Sequence, residues 1–312
     1  MATRVLIAYD GSAPAEAAVA TAGGLFPGAT GRLVTLIDPL PPTASLQAFG
    51  LGLDPETVQR QLDELGRELT EEGHEIAARG LATAGGAGLA VQPHVVARQG
   101  SEWQAIVSEA DAIDAEVIVC GSRGRRGLAR SLLGSTSTGV LHHASRPVLV
   151  VPAPPAAIDG PALIAYDGSE GARAAITTAG RLVSGRSVVV VNVWHSPVRH
   201  GPSGRAMAGA PVGGLREFAA DYEQLFADAA RALVDEGLAL ARQAGFDATG
   251  DAIESGSGAW RALAQAAIDR RAAVIVAGSR GLGGVASMML GSVSAGLVHN
   301  AETPALIVRP ES

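Results

Sequence analysis

The sequence predicts an α/β protein made of two tandem, doubly wound domains, each built on a five-stranded sheet of the Rossmann-like type. Short β-branched runs alternate with longer amphipathic stretches, which is typical of βαβ units and a parallel sheet. Runs such as VLIA, VIVC and VLVV are apolar throughout, as strands covered on both faces are. The 312 residues suffice for about two domains of the usual length.

An internal repeat supports the same division. Asp10 and Asp167 lie 157 residues apart, and Trp103 and Trp260 share that offset. The stretch GSRGRRGLARSLLGS returns as GSRGLGGVASMMLGS. A period this long indicates a duplicated domain rather than a solenoid unit of roughly 20 to 50 residues. We therefore expect domains over 1–152 and 160–312, joined by a semi-rigid, proline-rich connector.

The hydrophobic pattern locates the elements of the first copy. Strands are expected near 4–9, 32–37, 91–97, 116–120 and 147–151. Helices are expected near 13–25, 55–84, 102–114 and 135–144, and the second copy follows suit.

The last strand of each copy, RPVLVV or TPALIV, would lie on a sheet edge. Because unpaired edges tend to find partners, we expect the copies to pair there as an intramolecular pseudo-dimer. Larger assemblies, including a homodimer, would then use the tryptophan-bearing faces.

Composition excludes several classes of function. A net charge of -7 argues against a nucleic-acid binder. No run approaches the roughly 20 apolar residues of a membrane span, and the N-terminus lacks a secretory signal, so we expect a cytoplasmic protein without a membrane partner. All 24 basic residues are arginine, which excludes the lysines of P-loop ATPases, protein kinases and Schiff bases. The single cysteine, Cys120, is expected to pack as a small hydrophobe.

Two features converge on the carboxyl ends of the strands, where ligands of doubly wound sheets bind. The first is the segment after strand one, where Asp10 emerges at the crevice and Gly11 allows a tight exit. Ser12 is placed to cap the next helix, which Pro14 helps to start.

The second feature is the glycine-rich stretch after strand four. Gly121, Gly124 and Gly134 carry no Cβ that would block a phosphate, and the N–H groups near Ser135 favour an anion. The hydroxyls of Ser135 and Ser137 add donors. Glycines that only permit a tight turn, with Ser135 as a mere N-cap, are the alternative. The pattern recurs in the second copy at Gly278, Gly281, Gly291 and Ser292.

On these residues each copy resembles a domain of the universal stress protein family, of the ATP-binding type. That type is marked by G, two residues, G, nine residues, then G followed by S or T. The resemblance covers nearly the whole chain. It implies ATP at the strand ends and a role in survival under stress, growth arrest or dormancy. A magnesium ion on the phosphates would balance their charge.

The resemblance also implies particular nucleotide-binding residues. Asp10 and Asp167 would contact the adenosine end, and Leu36 and Val193 would offer backbone groups to adenine. The residues implied in the first copy are Asp10, Gly11, Leu36, Gly121, Ser122, Arg123, Gly124, Arg125, Gly134, Ser135, Thr136 and Ser137. Those implied in the second copy are Asp167, Gly168, Val193, Gly278, Ser279, Arg280, Gly281, Gly291, Ser292, Val293 and Ser294. No catalytic residue and no dedicated metal-ligand set is assigned.

The copies differ in the arginines of this stretch. The first holds Arg123, Arg125, Arg126 and Arg130, whereas the second keeps only Arg280. Since arginine forks pair well with phosphate oxygens, we expect the first copy to bind a triphosphate more tightly. The alternative is that these arginines are solvated on the surface or pair with acidic groups there, and this interpretation is favoured for Arg126 and Arg130.

Two further positions point to structure rather than chemistry. His143 of the first copy is Asn300 in the second, and a helix-terminal hydrogen bond explains both better than catalysis, because asparagine is neither acid nor base. Trp103 and Trp260 are expected in a core or interface rather than as a stacking platform for a base.

Three functions compete on this sequence. The first is a regulatory ATP-binding protein with little or no turnover. The second is an adenylyl- or phosphoryl-transferring enzyme, but the chain lacks SGGxDS and HxGH signatures. The third is a partner-binding module with an empty cleft, which the retained glycines disfavour. Slow ATP hydrolysis or autophosphorylation stays open.

Overall fold

The computed structural model describes residues 2–39, 54–124, 133–154, 158–196, 213–281 and 290–310. The strands are β1 (Arg4–Ala8), β2 (Thr30–Ile37), β3 (Ala90–Ala97), β4 (Val117–Gly121), β5 (Val148–Val151), β6 (Ala162–Ala165), β7 (Val188–Trp194), β8 (Ala248–Glu254), β9 (Val274–Gly278) and β10 (Ala305–Val308). The helices are α1 (Ala13–Leu25), α2 (Pro55–Gly86), α3 (Glu102–Ala112), α4 (Ser135–His143), α5 (Glu170–Leu182), α6 (Gly213–Gln243), α7 (Ala259–Asp269) and α8 (Ser292–Asn300).

Each strand and helix predicted in the first copy is present, and no end moves by more than two residues. Local chemistry explains the starts. The Ser12 hydroxyl accepts a hydrogen bond from the Ala15 N–H at 3.3 Å, so it caps α1 as predicted. Ser169 caps α5 in the same way, since its hydroxyl accepts from the Ala172 N–H at 3.2 Å.

The strands form one continuous sheet in the order β3-β2-β1-β4-β5-β10-β9-β6-β7-β8. Pairs within a half are parallel, as predicted. Between the halves β5 and β10 run antiparallel, with Leu149 opposite Leu306. The predicted pairing of the two edges is therefore present. Because the sheet is continuous, the limits 1–152 and 160–312 stay predictions, as does a homodimer.

Helices cover both faces of the sheet. Buried residues of α1, α2, α5 and α6 pack on one face, and those of α3, α4, α7 and α8 pack on the other. Strand order reverses beside β1, which lies between β2 and β4, and beside β6, which lies between β7 and β9. These two reversal points are where a doubly wound sheet opens a crevice. Among the described helices, none has the length and apolarity that crossing a membrane requires.

Side chains of the second half also reach the first. The Arg309 guanidinium donates to the carbonyl oxygens of Leu141 at 2.8 Å and His142 at 2.5 Å. These carbonyls belong to the last turn of α4, where a cation is favourable. Burial lowers the pKa of Arg309, which nevertheless stays charged.

Candidate functional site

A cavity opens at each reversal point. The first-half cavity has a volume of about 710 Å³ and the second-half cavity one of about 390 Å³. Nearly all predicted site residues that the structure describes line these cavities. Four of them are not lining residues, and they form two matched pairs: Gly11 with Gly168, and Ser122 with Ser279. Arg125, Arg126 and Arg130 lie outside the described residues.

The segment after β1 is fixed by the Asp10 carboxylate. Its Oδ1 accepts a hydrogen bond from the Ser12 N–H at 3.0 Å. Gly11 between them has a φ of 76°, a left-handed conformation that glycine adopts without strain. The second half repeats this turn, because Asp167 Oδ1 accepts from the Ser169 N–H at 3.0 Å.

One glycine after β4 and one after β9 closely approach the aspartate of their own half. A Cβ on Gly124 would lie 2.8 Å from Asp10 Oδ2, and a Cβ on Gly281 would lie 2.3 Å from Asp167 Oδ2. Any side chain at these two positions would displace the aspartate. The glycines are therefore required by a close approach across the cavity floor.

Backbone hydrogen bonds close the loop at its far end. The Gly134 N–H donates to the Ser122 carbonyl at 2.8 Å, and the Gly291 N–H donates to the Ser279 carbonyl at 2.8 Å. These bonds place the start of α4 beside the end of β4. Ser122 in turn is held by its own N–H, which donates to the Val151 carbonyl of β5 at 2.7 Å.

The first turn of α4 lines the cavity with residues whose N–H groups have no acceptor within the helix. Gly134 is the N-cap and Ser135 is the first helical residue. The alternative interpretation of the sequence, in which Ser135 is only an N-cap, is therefore wrong. Ser135, Thr136 and Ser137 line the cavity, and N–H groups in a first turn have no acceptor within the helix. The positive end of the helix dipole and the N–H donors of the first turn together favour an anion there. Gly291 and α8 repeat the arrangement.

The sequence profile of the universal stress protein family matches residues 1–152 and 160–309. The chain belongs to this family. It is 31% identical over 314 residues to a universal stress protein of Mycolicibacterium smegmatis, covering 98% of this chain and 97% of that protein. It is also 31% identical over 206 residues to the universal stress protein Rv2005c of Mycobacterium tuberculosis, covering 63% and 62% of the two chains.

The fold agrees with a solved universal stress protein of Archaeoglobus fulgidus. The alignment with that structure covers 100% of each chain, with a TM-score of 0.62 at 18% identity. At this identity the likeness concerns the fold alone. A second structure, of the protein PA1789 from Pseudomonas aeruginosa, covers 98% of this chain and 92% of that one with a TM-score of 0.52 at 15% identity.

Two hydroxyls of this universal stress protein do not act as the sequence suggests. Ser137 Oγ donates to the Gly121 carbonyl at 2.7 Å, and Ser294 Oγ donates to the Gly278 carbonyl at 2.6 Å. Their protons are thus engaged inside the protein and are not directed at a ligand. The prediction that the Ser137 hydroxyl adds a donor to the site has to be replaced by one in which its backbone N–H does so.

Sequence reasoning missed three carboxylates of the first cavity. Asp38, Glu72 and Glu102 line it, and Glu102 accepts a hydrogen bond from the Thr136 hydroxyl. At the constant offset their counterparts are His195, Ala229 and Ala259. A comparison of the two copies at positions outside the glycine motif would have shown this difference, because all three positions lose their negative charge in the second half.

A buried tyrosine precedes each aspartate, Tyr9 before Asp10 and Tyr166 before Asp167, and the sequence alone did not indicate its role. The Tyr166 hydroxyl donates to Glu236 of α6 at 2.8 Å, whereas the Tyr9 hydroxyl donates to Glu16 of α1. Burial and the carboxylate partner raise the pKa of Tyr166 to about 12 and that of Tyr9 further. Both phenols stay neutral over the physiological range, so each fixes a helix rather than exchanging protons.

The tryptophans pack as the sequence predicts. A Cβ on Gly139 would lie 2.3 Å from the Trp103 ring, and Gly296 and Trp260 make the same contact. His143 stacks on Trp103 with ring centroids 3.9 Å apart, and this stacking replaces the hydrogen-bonding role expected for it. Asn300 does form the expected bond, since its Nδ2 donates to the Gly296 carbonyl at 3.0 Å. Neither tryptophan is found among the described residues that line the cavities.

Proposed function

We propose that this universal stress protein is an ATP-binding regulator of the stress response, with one adenine nucleotide site in each half and little or no turnover. The observation that carries the proposal is that both cavities have the same floor. Gly124 faces Asp10 in the first half and Gly281 faces Asp167 in the second, each beside a helix N-terminus. Oriented N–H groups and absent side chains are what a phosphate chain needs.

The adenine end belongs to the strands beside β1 and β6. Strand β1 pairs with β2 only as far as Val34, so Leu36 lies beyond the end of β1 and lines the cavity. Val193 occupies the matching place, because β6 pairs with β7 only as far as Val191. An apolar wall with nearby backbone groups suits a flat base.

Magnesium would be held mainly by the phosphates. Among the described residues, no cluster of three side chains has the composition of a metal site. Asp10 is the described carboxylate beside the glycine floor of the first half, and Asp167 is that of the second. When bound, the ion would neutralise phosphate charge next to these carboxylates.

Low turnover is proposed because the carboxylates at the floor of the cavities are already held by hydrogen bonds. The lining residues that the structure describes include no histidine, and the chain has no lysine. One carboxylate oxygen of each floor aspartate already accepts a backbone N–H. A carboxylate engaged in this way is a poor base towards water, so we expect the triphosphate to be bound and not rapidly hydrolysed.

One observation favours the alternative, a slow autophosphorylating enzyme. The Thr136 hydroxyl at the start of α4 donates to the Glu102 carboxylate, which makes a hydroxyl and a base neighbours at the phosphate end. Transfer of the γ-phosphate from radiolabelled ATP tests this, with Thr136→Val as the variant because valine occupies position 293 in the second half. Label that depends on Thr136 would replace the low-turnover proposal.

Calorimetric titration of the nucleotide-free chain tests two-site binding. We expect about two ATP per chain for the wild type and about one for Gly124→Val or Gly281→Val, since either side chain displaces its aspartate. Gly85→Val is the matched control, because a Cβ there meets nothing within 4 Å. A stoichiometry near one for the wild type would contradict a site in each half, and no binding at all would overturn the proposed function.

A further inference from the structure

Among the described residues that line the phosphate end of the two cavities, Glu102 and Thr136 of the first have no equivalent of the same chemistry in the second. In the first half Glu102 begins α3 and accepts the hydroxyl proton of Thr136, the second residue of α4. In the second half Ala259 and Val293 occupy these positions. The second half therefore lacks both the carboxylate and the hydroxyl that donates to it.

Glu102 brings negative charge to the place where the helix would hold a phosphate. It is half-buried, and it lines the cavity together with Thr136 and Gly134, the N-cap of α4. A phosphate at these N–H groups would meet a carboxylate already bonded to the same turn. Like charges at this separation repel, and partial burial reduces the screening by water.

Other charged groups around this end come from several elements. Asp10, Asp38 and Glu72 add negative charge from the ends of β1 and β2 and from α2, while Arg123 adds positive charge after β4. Arg98 after β3 forms an ion pair with Asp38 and also lies within electrostatic range of Glu102.

The second cavity has a different balance. Among its described lining residues, Asp167 is the acidic side chain and Arg280 the basic one. Arg309 is close enough to Arg280 for the charge of Arg280 to lower its pKa. Within its described lining, the second cavity thus keeps the equivalents of Asp10 and Arg123 but lacks the three other carboxylates that line the first.

We propose that Glu102 is a specificity-determining residue which lowers the affinity of the first cavity for ATP relative to adenosine and AMP, while the second cavity binds the triphosphate without this penalty; at saturation both cavities hold ATP. The proposal rests on the proposed function, because it assumes an adenine ligand in each half. It runs against the expectation from the arginines of the first copy. Substitution at Glu102 separates the two effects, since it leaves every arginine in place.

The test measures each site alone in the full chain. Gly281→Val leaves only the first site, and Gly124→Val leaves only the second. Adenosine, AMP and ATP are titrated in EDTA at low salt into the Gly281→Val chain with and without Glu102→Gln, which keeps an oxygen for Thr136 but removes the charge. We expect ATP affinity to rise about tenfold, AMP affinity to rise less and adenosine affinity to stay the same.

The reciprocal change provides an independent measurement. Ala259→Glu with Val293→Thr, placed in the Gly124→Val chain, installs the pair in the second half. ATP affinity there should fall about tenfold while adenosine affinity is retained. Both substituted positions are half-buried. Because they lie in the second half, this variant tests the inference even if the first-half variant folds poorly.

Failure of this inference is distinguishable from failure of the proposed function. If adenosine and ATP bind both halves but neither set of substitutions alters the ratio of their affinities, Glu102 does not set specificity. Equal gains for adenosine and ATP in Glu102→Gln would also overturn the inference, because charge repulsion acts on phosphate alone. Absence of any adenine ligand from both sites would overturn the proposed function itself.

Discussion

The two halves keep the same backbone at the cavity floor and surround it with different side chains. Both retain the glycine that faces an aspartate and the N–H that closes the loop. The first cavity nevertheless reaches the second helix of its half through Leu69, Glu72 and Ile76, and no described residue of α6 lines the second. Duplication has preserved the groups that would hold any phosphate and changed those that would choose among ligands.

The largest expected difference between the halves concerns Cys120, whose counterpart is Ala277. Burial raises the pKa of this thiol to about 12 from an ordinary value of 9.0. Since each unit is tenfold, the thiolate fraction at pH 8 should be roughly a thousandfold below that of an exposed cysteine. Labelling with a thiol reagent should be slow in the folded chain and fast in urea. Rapid labelling of the folded protein would show that the wall of the first cavity opens.

The tryptophan contacts should be equal in the two halves. Gly139→Val and Gly296→Val each place a side chain within about 2.3 Å of an indole ring, so each should lower the free energy of unfolding by about 3 kcal/mol through overpacking. Urea denaturation measures the loss, with Gly85→Val as a control in open space. Losses that differ by more than about 1 kcal/mol would mean that the stacking of His143 on Trp103 makes the first half special.

Arg309 has no counterpart, because the matching residue of the first copy is Pro152. Arg309→Ala removes two hydrogen bonds to carbonyls of α4, which should lower the free energy of unfolding by about 1 to 2 kcal/mol. Arg231→Ala is the control, since its ion pair with Asp228 is more than half exposed and contributes little. An unchanged urea midpoint for Arg309→Ala would show that these two hydrogen bonds add little to the pairing of β5 with β10.

The smallest effect is expected at Arg125, which lies outside the described residues. Arg125→Leu introduces the residue of the second copy, and it should weaken ATP binding at the first site by no more than about tenfold. Titrations across a salt series in the Gly281→Val chain measure this, and the variant should show the weaker salt dependence. Unchanged affinity at every salt concentration would leave the phosphates to backbone N–H groups and to the hydroxyl of Ser135.

Local chemistry explains why much of the fold could be predicted. The range of α1 follows from a capping serine, an early proline and an apolar period, all within a few residues of the helix itself. The pairing of β5 with β10 was also predictable, because each copy ends in a short apolar edge strand. Glycine spacing likewise brought Gly124 and Gly134 to one loop, since the loop begins and ends on elements that the pattern identifies.

The chemistry of the cavities required the tertiary structure. The Ser137 hydroxyl donates to a carbonyl 16 residues away, and Glu102 accepts from a hydroxyl 34 residues away. Arg309 reaches across 168 residues to α4. Periodicity determines which face of an element a residue occupies, but it carries no information about which side chain of another element meets it. That choice is made by packing between helices and sheet, so the sequence predicted where the two cavities open and the fold decided which charged side chains line them.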